Sequence, residues 1–161
     1  MPLIKNGAPA SDSFVTVADD ATLPDGAAIV SFARFQKERA TLLARNAPLG
    51  ILLKPAESPE SLGDDVQRLS VIVLEFPVFR DGRHFSWARM LRERLKYEGE
   101  IRARGHFLYD QIALTRRVGF DAWELPDGIS PEQFQRALGE ITNVYQPSAD
   151  GKKTIRDLRA R

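Results

Sequence analysis

An α/β domain built on a mostly parallel sheet is predicted by three observations. Five short apolar runs alternate with five helical segments along the chain. The runs are apolar on both sides, which is the pattern of parallel strands covered by helices on both faces. The length, 161 residues with 43% apolar and 28% charged, suits one compact domain with a sizeable core. Right-handed crossovers then follow by rule. An open sheet is the first expectation and a partial barrel the second, because strand order is not written in the pattern.

Residues 3–17 read as two short strands around a turn. Asn6-Gly7 and residues 9–13 supply turn chemistry, and Phe14-Val15-Thr16-Val17 is rich in β-branched residues. Residues 19–26 form a loop around Pro24-Asp25-Gly26. Ala27-Ala28-Ile29-Val30 is the first apolar run, and residues 32–45 follow as a helix with Phe32, Phe35, Ala40 and Leu43. Leu49-Gly50-Ile51-Leu52-Leu53 is the second run, ended by Lys54-Pro55. Ser58 can cap a short helix over residues 59–69, with Pro59 at its first position.

The third run, residues 69–76, is the most continuous and stops at Pro77. Residues 85–97 are the clearest helix, with Phe85, Ala88, Leu91 and Leu95 along one side. Residues 100–104 are a weaker strand closed by Gly105, and residues 107–118 a helix stopped by Gly119. Residues 120–125 form the last strand, ended by Pro126. Ser130-Pro131-Glu132-Gln133 is a capping box opening a helix that carries Phe134, Ala137, Leu138, Ile141 and Tyr145. The chain is thus one domain, residues 1–161: an N-terminal hairpin and loop over 1–26, a βα core with five strands over 27–145, and a basic tail over 146–161. Residues 151–161 hold Lys152, Lys153, Arg156, Arg159 and Arg161 against Asp157, and are expected to be frayed or loosely docked.

Composition excludes several functions. With no cysteine there are no disulfides, no thiol catalysis and no cysteine-ligated zinc or iron–sulfur centre. Two histidines and unclustered carboxylates leave no metal site to predict. A net charge of +1 creates no global attraction to DNA or to membranes. The N-terminus lacks a secretory apolar core, and no run approaches the roughly 20 residues that span a bilayer, so a cytoplasmic protein is expected. There is no GxGxxG, Walker loop or GxSxG elbow, so no cofactor is assigned.

Ligands of parallel α/β sheets bind beyond the carboxyl ends of the strands. Two loops there stand out. After the third run, Arg80 and Arg83 bracket a tight Asp81-Gly82 turn, with Ser86 just inside the next helix. Two guanidinium groups and a helix N-terminus together present an anion receptor; the alternative is a plain turn with two solvated arginines. After the fourth run, His106 and Asp110 fall on one face if both lie on the first turn of the next helix, a possible acid/base pair, with Arg104 and Gln111 adding hydrogen bonds. The alternative is a capping histidine and a first-turn aspartate. Ten basic residues face six acidic ones from 75 to 117. Phe85 and Trp87 lie nearby, but Phe85 belongs to the apolar stripe, and a nucleic-acid partner is not expected.

Phe76-Pro77-Val78-Phe79-Arg80-Asp81-Gly82-Arg83, then Ser86, Ala88-Arg89 and Leu91-Arg92-Glu93-Arg94, resemble the domain-of-unknown-function 934 family of bacteria. Gly99-Glu100-Ile101-Arg102-Ala103, Asp110-Gln111 and Gly119-Phe120-Asp121-Ala122 continue the resemblance. It covers most of the chain and is densest between 76 and 125. The family's pattern carries an acidic residue where this chain has His106. Members are encoded beside assimilatory sulfite reductase and the sulfonucleotide reductase, so the resemblance implies a role in sulfate or sulfite assimilation. It supplies no catalytic residue.

Three readings stand at this point. One is an accessory protein that binds sulfite reductase, or a small anion such as sulfite, sulfate or phosphate, through Arg80, Arg83 and Arg104. The second is a small enzyme in which Asp110 and His106 move protons on an anionic substrate. The third is an oxidoreductase using flavin or nicotinamide at an unrecognised site.

Overall fold

The computed structural model describes residues 2–159. Eight strands form one sheet: β1 (Leu3–Lys5), β2 (Ala8–Ala10), β3 (Val15–Thr16), β4 (Ala28–Ser31), β5 (Leu49–Leu53), β6 (Val71–Phe76), β7 (Glu100–Gly105) and β8 (Ala122–Glu124). The order is β2-β1-β8-β7-β6-β5-β4-β3. Strands β3 to β8 are all parallel and lie in chain order, while β1 and β2 add antiparallel at the β8 edge. All five predicted apolar runs are strands. The N-terminal segment differs from expectation: Asn6-Gly7 turns a true β1–β2 hairpin, but residues 15–16 leave it and pair in parallel at the opposite edge. The parallel array therefore has six strands rather than five.

Chain-order pairing decides which faces are covered. Successive right-handed crossovers between neighbours place every connecting helix on the same side. That side carries Val30, Ile51, Leu53, Ile72, Leu74, Phe76, Ile101, Ala103 and Trp123, packed in one core with Phe35, Leu42, Leu62, Leu91, Ile112 and Phe134. The expectation of helices on both faces is corrected: on the other face Ile29, Val71 and Val73 meet Phe14 and Leu52 instead.

The second face is concave. Laid flat at about 4.8 Å per strand, β2 and β3 would stand about 34 Å apart. The chain from Ala10 to Val15 reaches at most about 18 Å. The sheet must curl to let residues 11–14 strap its two edges together. Arg104 on β7 accordingly donates to Thr16 Oγ1 on β3 at 2.9 Å, although β4, β5 and β6 lie between those strands. The sheet remains open, since β2 and β3 do not pair.

Close packing on the concave face requires Gly50. A methyl group there would overlap Val71 and come within 2.8 Å of Ile29 Cγ1. Gly50→Ala should lower stability by about 1–3 kcal/mol, as overpacked cores do. Urea unfolding would measure it, and an unchanged midpoint would show that β4, β5 and β6 part freely.

The connecting segments follow local chemistry. In α1 (Phe32–Leu43) the Ser31 hydroxyl accepts from the Arg34 N–H at 3.0 Å. Residues 59–68 begin at the predicted Ser58 cap but wind as 3₁₀ helix, broken at Gly63 with φ +53°. Helix α2 (Arg83–Glu93) ends four residues early, because Lys96 turns to φ +53° and sends Tyr97 into the core. The expected helix over 107–118 is a single 3₁₀ turn (Tyr109–Gln111) leading into α3 (Ile112–Val118). The capping box of α4 (Pro131–Glu140) forms as predicted, and the helix stops before Ile141 and Tyr145, which stay exposed.

The tail is docked rather than frayed. The Ile155 N–H donates to the Val144 carbonyl, Arg117 holds Asp150 and the Gln146 carbonyl, and Thr154 is buried at the start of α5 (Ile155–Arg159). Arg161 lies outside the described residues. Among the described residues, no helix is long and apolar enough to cross a membrane.

Candidate functional site

A cavity of about 610 Å³ opens at the carboxyl ends of β6, β7 and β8. Its walls are the three loops that follow those strands: Pro77 to Arg80, His106 to Tyr109, and Pro126 to Ile129. Pro77 ends β6 by removing a ladder donor, and the Asp81 N–H closes the loop onto the Val78 carbonyl at 3.1 Å. Gly105 turns the chain out of β7 at φ +99°, where a Cβ would overlap the Phe76 carbonyl oxygen. The His106 N–H instead bonds that oxygen at 2.7 Å. Gln111 ties two walls together: its Oε1 accepts from the Leu108 N–H at 3.0 Å, and its Nε2 donates to the Phe79 carbonyl at 2.9 Å. Tyr109 donates its hydroxyl to Glu140 at 2.6 Å, anchoring the second wall to α4.

The lining is mainly apolar. Phe107 is buried, whereas Val78, Phe79 and Leu108 are 43–48% exposed at the rim. Clustered exposure of large apolar side chains beside a cavity is a binding-surface signature. Arg80 and His106 line the cavity, and neither side chain has an ion pair or hydrogen bond among the described residues.

The other expected site residues lie elsewhere. Arg83 forks onto its own neighbour, with Nε and Nη2 at 2.9 and 2.6 Å from the Asp81 carboxylate, which also accepts from the Arg83 N–H. The guanidinium holds Asp81 down at about 2. The head of α2, capped at Gly82, is thus occupied by the chain's own carboxylate, and Ser86 is exposed one turn on. Arg104 lies on the concave face in a double contact with Glu124 at 2.6 and 2.7 Å. The three arginines do not converge: each of two has a carboxylate of its own, and Arg80 alone reaches the cavity.

His106 and Asp110 also fail to pair. Residues 106–108 are not helical, so the i, i+4 relation that would have stacked them never forms. Both are exposed, Asp110 does not line the cavity, and no hydrogen bond joins them among the described residues.

Two polar features were not anticipated. His84, on the first turn of α2, is completely buried. Its Nε2 lies 2.7 Å from the Glu75 carbonyl, and a carbonyl only accepts, so Nε2 carries the proton. Nδ1 has no partner among the described residues, and the ring stands edge-on to Phe76. Burial pushes its pKa down to about 4, only partly opposed by the carbonyl. The sequence signal was available: His84, Ala88 and Leu91 fall at i, i+4 and i+7 on one helix face.

The second feature is an ionic network on the concave face around Arg102, which is 1% exposed. Its Nε donates to Glu100 at 2.7 Å, and its Nη1 to Asp12 at 2.7 Å and Glu124 at 3.2 Å. Nη2 completes a fork onto Asp12 at 3.2 Å. Lys5 pairs with Glu100 at 2.7 Å. Burial disfavours the Arg102 charge, but Asp12 and Glu100 outweigh it and raise its pKa. Asp12 is held below the usual range because Arg102 overcomes its partial burial. The alternation Glu100-Ile101-Arg102-Ala103-Arg104 already carries this two-faced pattern. No comparable signal marks Phe107, Tyr109, Pro126 and Ile129, which meet only in three dimensions.

Residues 50–156 match a family model described as "Bacterial protein of unknown function (DUF934)". All the cavity-lining residues fall inside that span. No curated protein and no solved structure matches the chain.

Proposed function

The chain belongs to the domain-of-unknown-function 934 family, and on that footing we propose that it binds a small organic anion in the cavity beyond β6, β7 and β8, as an accessory protein of sulfate or sulfite assimilation. The observation that carries the binding site is a cavity of about 610 Å³ with mainly apolar walls and one arginine, Arg80, that has no carboxylate partner among the described residues. Its volume falls in the roughly 300–1,000 Å³ range of small-molecule sites. Its position obeys the rule for parallel sheets. Bare sulfate, sulfite or phosphate would need several donors to replace its hydration; one guanidinium in a mainly apolar lining, with the Asp127 carboxylate also on the wall, favours an anion that brings its own apolar body and sets its charge at Arg80. The pathway placement rests on the family resemblance. A proton-transfer role for His106 and Asp110 has no supporting geometry, so binding is the preferred reading.

Phenyl sulfate should raise the melting temperature where inorganic sulfate at the same ionic strength does not, and at 100 times the dissociation constant the stabilisation is about 2.7 kcal/mol. Arg80→Ala should weaken binding by roughly 10- to 100-fold, the worth of a charge-assisted hydrogen bond. A shift that survives Arg80→Ala removes Arg80 from the site, and no shift with any aryl anion removes the site itself. Growth of a deletion strain on sulfate, sulfite or cysteine as sole sulfur source tests the pathway separately.

A further inference from the structure

We propose that the concave face of the sheet is a second binding site, for an aromatic carboxylate, which the chain's own Asp12 and Phe14 occupy in the closed protein. The strap over residues 11–14 is attached by side chains alone. Among the described residues, no backbone group of the strap bonds to the rest of the molecule, and the Phe14 N–H bonds within the strap, to Asp12 Oδ1 at 3.0 Å. Its two attachments are the Asp12 carboxylate on Arg102 and the Phe14 ring. That ring stands 5.9 Å from the Arg102 guanidinium carbon and packs against the cluster of Ile29, Val71 and Val73. A segment without ladder bonds opens at lower free energy than the sheet beneath it.

The floor does not depend on the strap. Its strands are joined by their own ladders, and Glu100 and Glu124 keep Arg102 in place through Nε and Nη1. What the strap alone supplies is the end-on pair of contacts, one from Nη1 and one from Nη2; their other contacts go to Glu124 and Glu100. With Asp12 withdrawn, Arg102, Arg104 and Lys5 stand against Glu100 and Glu124, an excess of one positive charge beside an apolar shelf. One planar fork matches a carboxylate. A phosphate dianion would face the two glutamates with too few donors. The shelf and the guanidinium face that Phe14 covers both favour an aromatic ring. Asp12 and Phe14 therefore mark the positions of the two halves of the ligand.

Because the strap is tethered, it competes at an effective concentration of about millimolar or above, and a free ligand binds the intact protein weakly. The probe is 3-phenylpropionate, followed by NMR titration against the full chain. The Asp12→Asn/Phe14→Ala variant should bind it roughly tenfold or more tightly than the unaltered protein. 3-Phenylpropionamide and acetate should bind neither form, and Arg80→Ala should leave the gain intact. Equal or weaker binding by the folded variant overturns the proposal. So does a gain abolished by Arg80→Ala, which would assign the probe to the cavity beyond β6, β7 and β8. If the variant does not fold, hydrogen exchange in the unaltered protein decides. Saturating probe should speed exchange of the Phe14 amide, whose acceptor is Asp12, and unchanged exchange, or no binding, overturns the site.

Discussion

Arg102→Leu should lower the free energy of unfolding by about 3–5 kcal/mol, the cost of breaking a buried ion pair from one side. The leucine fills much of the volume, but Glu100 and Glu124 are left buried without the guanidinium that neutralises them. Lys5 and Arg104 still reach one carboxylate each, so the loss falls on the oxygens that faced Arg102. Asp12 is freed as well, and the strap loses its polar attachment. Urea unfolding at neutral pH measures the loss. Adding Glu100→Gln and Glu124→Gln to Arg102→Leu should restore part of it, because neutral partners no longer carry an uncompensated charge. A loss below about 1 kcal/mol for the single variant would mean that water already reaches these carboxylates.

Acidification should cost up to about 3 kcal/mol of stability between pH 6.5 and pH 4 through His84. In the unfolded chain the imidazole takes a proton near 6.5, whereas in the folded protein burial delays this to about 4. Across that window the unfolded state binds more protons, so stability falls as pH falls, and the loss is complete below about 4. Carboxylates held low by arginine, Asp12 and Asp81, begin to weaken the fold only below their ordinary value of 3.8. Asp121 acts in the opposite sense, since burial raises its pKa despite Arg92. His84→Gln keeps an N–H donor for the Glu75 carbonyl and cannot titrate, so its unfolding free energy should stay nearly level from pH 7 to 4.5. An equal slope in both proteins would place the titrating group elsewhere.

The legible parts of this fold are those written in local periodicity. The runs at 27–30, 49–53 and 69–76 became strands because residues apolar on both sides have no solvent face to offer. The Ser130–Gln133 capping box formed because both partners lie within one turn. The basic loop lies beyond the carboxyl end of β6, as the position of Pro77 implies, and Arg80 lines a cavity there. Its partner was misjudged, because Arg83 needs only two residues to find Asp81, and a contact within a turn forms before any contact across the domain.

By itself, then, the amino-acid sequence determined the α/β class, the five apolar strands and the start of most connecting segments. Tertiary structure alone decided that the parallel strands lie in chain order, that every helix connecting them falls on one side, and that residues 15–16 form the far edge. It also decided that Arg83 and Arg104 have carboxylate partners while Arg80 lines the cavity. The physical reason is the range of the interactions. Capping, amphipathic period and proline punctuation act within a few residues and leave their mark on the string. Strand order, and the meeting of Asp12 with Arg102 ninety positions away, depend on a curled sheet that no local pattern encodes.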